Sequence, residues 1–356
     1  MTTYHPLGEY IREVNVRNSD LKVTKLVGLT IDKAFIPSVA NVIGTDLSNY
    51  KVIRSEQFAC SLMQVSRDGK MPIAMFEGNE AIMSPAYPMF EIIDKTKLLP
   101  QYLMMWFSRS EFDREASYYA VGGVRGSLTW DDFCNMRLPV PPIARQHEIV
   151  AEYATLTNRI RLNEQMIAKL EETAQALYRK MFVEGIDKEN LPEGWRMGTL
   201  GEVCEIKYGK AHEGIPNGLI PIYGSGGIMR HGNKSICTEE SVLIPRKGSL
   251  NNIMYINEPF WTVDTMFYTE MKQPHLAKYV FFNLKQYDFI AMDAGSAVPS
   301  MTTNILNQIV IIIPTPEVLK NFDEEMSVIF NNTEIMNKET SKLKDLLSLL
   351  LGKMGK

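Results

Sequence analysis

A chain of 356 residues, 45% apolar and 22% charged, is long enough for two domains with a core each and has an ordinary globular balance. No apolar run approaches the ~18 residues of a membrane span, and Met1-Thr2-Thr3-Tyr4-His5-Pro6 has no basic-then-apolar leader. The expected setting is therefore cytoplasmic, without a membrane. A formal charge of −4 argues against a general nucleic-acid binder, so any DNA-binding face has to be local.

The first block, residues 1–140, opens with Leu7-Gly8-Glu9. Strand-like segments follow at 21–29, 50–65, 73–76 and 89–93, where Val, Ile, Phe and Tyr are bounded by Gly, Pro, Asp and Asn. One helix is expected over 100–118, with Pro100 in its first turn. The block closes with Gly122, Arg125, Ser127, Leu128 and Thr129, then Leu138-Pro139-Val140-Pro141-Pro142.

A long helix, 141–184, comes next. Ile149, Tyr153, Leu156, Ile160, Asn163, Ile167, Leu170, Ala174, Leu177 and Met181 alternate steps of four and three. That is a seven-residue repeat with one polar interruption, the stripe of a helix that packs on another helix. A linker rich in breakers follows, and the region 185–313 starts over with Leu200-Gly201-Glu202. It has strand-like runs at 241–245, 253–256 and 265–269 and a helix near 274–286. The second long helix, 314–356, repeats the stripe 173 residues on, at Phe322, Met326, Ile329, Thr333, Met336, Thr340, Leu343, Leu347, Leu350 and Met354.

At the same offset Gly122, Ser127, Thr129 and Pro141 fall on Gly295, Ser300, Thr302 and Pro314. Upstream, Met89-Phe90 and Tyr102 fit Met266-Phe267 and Tyr279 at an offset of 177. The chain is a tandem duplication of block and helix. A lone stripe is too narrow to be buried by one block, so the two stripes are expected to pair, antiparallel, as a spacer rod. Asn163, Thr333 and Thr340 are expected to fix its register. The fold class is α+β: two mixed α/β blocks joined and separated by two long helices pairing as an antiparallel coiled coil.

These features resemble the specificity (S) subunits of type I restriction-modification systems. The resemblance rests on the two Leu-Gly-Glu openings, the two Gly-x4-Ser-[Leu/Met]-Thr segments, and the lead-in with Gln146 and Ile149 to the first helix. In the second copy Leu319 replaces the glutamine. Pro221-Ile222-Tyr223-Gly224-Ser225-Gly226-Gly227 and Ile244-Pro245-Arg246-Lys247-Gly248 also resemble segments of such recognition domains. The resemblance implies two target-recognition domains, each reading one half of a gapped bipartite site in double-stranded DNA. The helices would set the gap and dock two methyltransferase subunits, joined by restriction/translocase subunits. It implies that S-adenosylmethionine, ATP and Mg are bound by those partners and none by this chain.

Base readout and phosphate contact need donors on loops. The candidates are Lys51, Arg54, Arg67, Lys70 and Arg125 in the first block, and Lys207, Lys210, His212, Tyr223, Ser225, Arg230, His231, Lys234, Arg246, Lys247, Asn251 and Asn252 in the second. At an offset of 179, Arg67-Asp68-Gly69 aligns with Arg246-Lys247-Gly248. Residues 190–313 hold 10 Lys/Arg against 11 Asp/Glu, so acids such as Glu202, Glu205 and Glu270 must turn away from the basic loops. No catalytic signature is found. Tyr223–Gly227 lacks the spacing of a phosphate loop and reads as a tight turn. The five histidines and four cysteines (Cys60, Cys134, Cys204, Cys237) have no metal-ligand spacing. The expectation is a non-catalytic recognition subunit. The alternatives are the same role in another methyltransferase-linked system without the nuclease, or a coiled-coil assembly adaptor.

Overall fold

The computed structural model describes residues 4–38, 44–63, 65–121, 127–292 and 301–354. Gly122, Arg125, Gly295 and Ser300 lie outside them. The chain divides into two compact units, Met1–Asn163 with Glu339–Lys356, and Glu164–Lys338. Each is α+β, and no helix among the described residues is long and apolar enough to cross a membrane.

In the first unit four strands form an antiparallel sheet in the order Ile11–Glu13, Met89–Ile92, Phe58–Cys60, Ile73–Met75. Phe90 stacks on Phe58 at 5.1 Å across that sheet. Where one helix was expected over 100–118 there are two, Pro100–Phe107 and Ser110–Ala120. Arg109 between them is extended (φ −77°, ψ 142°) and lays its guanidinium on Trp106, 4.1 Å from the ring centre.

The second unit repeats this order with Cys204–Tyr208, Met266–Met271, Ser241–Pro245 and Met254–Ile256. Phe267 takes the place of Phe90. A second sheet is built on the hairpin Ile220–Gly224/Gly227–Gly232. The helix expected near 274–286 is shorter, Ala277–Leu284, because His275 holds a positive φ of 64° that no helix can include.

The duplication extends to single hydrogen bonds. In each unit a first strand pairs antiparallel with the last strand of the block: Tyr4–Pro6 with Arg137–Pro139, and Arg196–Thr199 with Val310–Ile313. Leu7 N donates to Met136 O at 2.8 Å, and Leu200 N to Ile309 O at 2.9 Å. Buried Tyr102 donates its hydroxyl to Pro139 O, and buried Tyr279 to Ile312 O. Thr129 and Thr302 each cap the short helix that follows, accepting from Asp132 N and Ile305 N.

The long helices run Ile143–Phe182 and Pro316–Lys353, about 60 Å and 57 Å at 1.5 Å per residue. Each gives one half to each unit. The first helix starts after a double proline, where Gln146, fully buried, accepts from Leu99 N and donates to Lys97 O and Pro141 O. The second starts with Pro316, and buried Leu319 at the position of the glutamine joins the apolar core instead.

In the first unit the two segments run antiparallel, with Ile149 in one core with Met354 and half-buried Leu351. Farther along, Arg159 pairs with Glu339 in a two-bond fork, and Asn163 donates to Glu339 Oε2 and Thr340 Oγ1. In the second unit they are again antiparallel. Tyr178 and Phe182 pack on Phe322, ring centres 6.1 and 5.0 Å apart, and Ala174 and Met326 share the same core. Every stripe position is buried or half-buried. Thr333, expected to help fix register, bonds instead to Ile329 O of its own helix.

Candidate nucleic-acid interface

The sheet of the second unit has two chemically different ends. Because its strands are antiparallel, the C-terminal ends of Cys204–Tyr208 and Ser241–Pro245 and the N-terminal end of Met266–Met271 meet at one edge. There Tyr208-Gly209-Lys210 and Arg246-Lys247-Gly248 leave the sheet. Lys210 N donates to Thr262 O, and Arg246 and Lys247 N both donate to Thr265 O, which ties these segments together.

The hairpin turn joins them. A two-residue turn, Ser225-Gly226, closes the hairpin, and Gly227 has φ +112°, which favours glycine. Asn252 Nδ2 donates to Ser225 O at 2.7 Å, and Ser225 Oγ lies where a Cβ on Gly248 would stand. Lys210, Arg246 and Lys247 have no carboxylate partner among the described residues. Arg246 lies 5.6 Å from the ring centre of Tyr208, itself 50% exposed.

The opposite edge is acidic. Glu205 faces Glu270 across the first strand pair, Glu239 and Glu240 precede Ser241, and Glu202 sits in the short helix before Cys204. Lys207 spans Glu205 and Glu270, and the Glu205 carboxylate raises the lysine's pKa. Arg196 and then the Thr199 amide hold the Glu202 carboxyl below the usual range. The acids thus gather at one strand end, with Lys272 among them, and Lys210, Arg246 and Lys247 at the other, where Asp264 is also exposed.

Several expected contacts are occupied by the fold. Lys207 neutralises two acids. Arg230 donates to His212 O, Ile215 O and His212 Nδ1, a strut that fixes the 212–215 loop and uses His212 as well. Tyr223 is buried with its hydroxyl on Glu258. Asn251 holds Asp288 and the amide of Phe289, and Asn252 holds the hairpin turn. His231 and Lys234 are exposed toward the far end of the hairpin, away from its turn.

In the first unit Lys51 is only 5% exposed and donates to Tyr87 O; burial lowers its pKa, with Glu13 pulling the other way. Arg54 lies 3.9 Å from Glu80, Arg67 forks onto Asp68, and Lys70 lies 3.3 Å from Asp32. Arg67 and Arg246 occupy the equivalent connection, between the third and fourth strands of each sheet order. They are not equivalent residues: Arg246 follows its strand directly, whereas Arg67 sits in a short helix, Val65–Asp68, well beyond Cys60.

Tyr208 was missed by the sequence reading, as were Ile228 and Met229, exposed just past the hairpin turn. An aromatic before Gly-Lys was the available signal for the first. For the other two there was none, because their exposure comes from a bulge in the hairpin.

The chain matches the family model described as "Type I restriction modification DNA specificity domain" over residues 65–172 and 192–345. It is similar to two proteins of Methanocaldococcus jannaschii. One is a putative type I restriction enzyme MjaX specificity subunit, 21% identical over 52% of this chain and 48% of that protein. The other is the type I restriction enzyme MjaVIII specificity subunit, 22% identical over 86% and 80%. The first match thus spans about half of its relative. In fold it resembles the type I restriction-modification S subunit from M. genitalium, with a TM-score of 0.69 at 14% identity over 100% of this chain and 96% of that one. A chain from a structural study of type I R-M complex assembly and conformational transition has a TM-score of 0.50 at 20% identity, covering 99% and 97%.

Proposed function

The chain belongs to the type I restriction-modification DNA specificity family, and from that premise we propose that it is the non-catalytic subunit that chooses the DNA site of such a complex. The observation that carries the reading is the edge where Lys210, Arg246 and Lys247 stand without carboxylate partners among the described residues, opposite the edge where Glu202, Glu205, Glu239, Glu240 and Glu270 gather. Cations left unpaired on loops are matched to phosphates, and the side chains among them reach base edges.

On this reading each unit reads one half of a gapped bipartite sequence and the two long helices set the gap. Two methyltransferase subunits dock on the chain, and restriction/translocase subunits complete the assembly. S-adenosylmethionine belongs to the methyltransferases, and ATP and Mg to the translocase; this chain contributes position and choice.

The test is to map DNA methylation in a methylation-free host that makes this chain with its genomically adjacent methyltransferase, against the methyltransferase alone. A two-part motif with one fixed gap, seen only when the chain is present, is the expected result. An assembled complex that methylates no such motif would refute the reading.

A further inference from the structure

Ile228 and Met229 are 54% and 57% exposed. Two neighbouring large apolar side chains both facing solvent break the alternation of a strand, and the cause is local. The hairpin pairs Tyr223 with Ile228 and Ile222 with Arg230, and the register shifts between them, so Met229 is an extra residue on its strand. A bulge of this kind re-aims side chains and bends the strand. The Met229 thioether is placed over Gly224, where a Cβ would come within 2.6 Å of the sulfur.

The pair stands beside the turn that Asn252 and Gly248 fasten to the Arg246-Lys247 loop. Water-exposed apolar surface is therefore built in beside the edge that carries Lys210, Arg246 and Lys247. A partner with a dense negative charge and an apolar group within a groove fits both features, and duplex DNA offers that combination in the major groove. That groove displays the 5-methyl group of thymine as its apolar feature, and Ile228 and Met229 stand on Gly227–Gly232, an outer strand of the three-stranded sheet, next to the hairpin turn.

We propose that Ile228 and Met229 are specificity-determining residues that read a thymine methyl in the half-site bound by the second unit. The proposal rests on the DNA-recognition reading and deepens it. Arg246, Lys247 and Lys210 hold the phosphates and set the depth of the hairpin. Ile228 and Met229 then bury the methyl, which cytosine lacks and uracil lacks alone.

The test uses the full chain assembled with its methyltransferase on duplexes carrying the mapped motif. Each thymine is replaced in turn by deoxyuridine, which removes one methyl and leaves base pairing intact. At one or two positions in a single half-site, the wild-type complex should lose about fourfold in affinity, the worth of one buried methyl. The Ile228→Ala/Met229→Ala double variant should bind thymine and uracil duplexes equally at those positions, with its thermal midpoint unchanged. No methyl-sensitive position in the wild type, or the same sensitivity in the double variant, overturns the proposal while leaving the recognition reading intact. Absence of any motif overturns both.

Discussion

Asn163 offers a sharp test of what holds the two long helices together. It is the polar interruption of the first stripe, 4% exposed, donating to Glu339 Oε2 at 3.0 Å and Thr340 Oγ1 at 3.3 Å. In Asn163→Leu an apolar side chain of similar size enters the buried seam, a gain of about 1.5–2 kcal/mol. Against it stands the lost bond to Thr340, about 1 kcal/mol. The Thr340 hydroxyl can turn to the carbonyl four residues back, and Glu339 keeps its fork from Arg159. The variant should therefore be more stable by about 0.5–1 kcal/mol.

Register is the second half of the prediction. A slip of one heptad shifts one helix past the other by ~10 Å. It would pull Phe322 off Tyr178 and Phe182 in the second unit, and Met354 off Ile149 in the first. Burying each such side chain is worth roughly 1.5–3 kcal/mol, so the cores outweigh the one polar contact several-fold. Chemical denaturation should show a higher midpoint for the variant, and methylation mapping should return the same motif with the same gap. A second gap length, or a clear loss of stability, would refute the reasoning by showing that Asn163 and not the cores sets register.

Three further outcomes are expected. Ile167→Asp puts a charge into the half-buried stripe and should cost about 2–3 kcal/mol; on the proposed reading it abolishes gapped-site methylation, and an unchanged motif would count against the helices as spacer. Arg246→Ala and Lys247→Ala should each lower the log–log salt slope of DNA binding by about 1, measured by titration at several salt concentrations, whereas Arg230→Ala should lower stability first, because its bonds go to the 212–215 loop. Lys278→Met removes a buried ammonium 2.8 Å from Asp323. It should destabilise the second unit by about 2–3 kcal/mol, since His275 is then the carboxylate's remaining partner among the described residues.

The Asp323 carboxyl also gives a pH signature. Burial pushes its pKa up, but the hydrogen bonds from His275 and Lys278 prevail and leave it lowered. A lowered carboxyl contributes stability above its unfolded pKa of about 3.9, and that contribution is lost as pH falls through the folded value. Wild type should thus lose stability below about pH 4 more steeply than Lys278→Met, and parallel acid-denaturation curves would contradict the assignment.

The duplication was legible because repetition needs no chemistry to see. An offset of 173 placed Thr129 on Thr302, and both cap a helix; an offset of 177 placed Tyr102 on Tyr279, and both close their block through a strand carbonyl. Stripe positions were equally visible, since a sustained 3.5-residue repeat, close to the helix's own 3.6, marks a helix packed on another helix. The loop cations were not. Arg230 and Arg246 look alike in sequence, and what separates them is that Arg230 is held by two carbonyls and a ring nitrogen of a neighbouring loop, whereas Arg246 lies by an exposed tyrosine with one long bond, 3.4 Å, to Asp264 O. Such partners are set by tertiary contacts, which is also why the offset of 179 found the right connection but the wrong residue in Arg67.

The same comparison shows where the two copies were free to differ. Closing a block requires its first strand, its last strand and the tyrosine between them, whatever the block goes on to bind, and these parts match bond for bond. The loops at the far edge answer to no such requirement. Among the described residues, Arg67 and Lys70 on the first unit's connection pair with Asp68 and Asp32, whereas Arg246 and Lys247 on the second unit's equivalent connection have no carboxylate partner and stand near an exposed apolar pair. A duplicated reader of one repeated sequence would have no reason to diverge there while holding its closure fixed. On the proposed reading, two blocks with one closure and two different edges would serve two different half-sites.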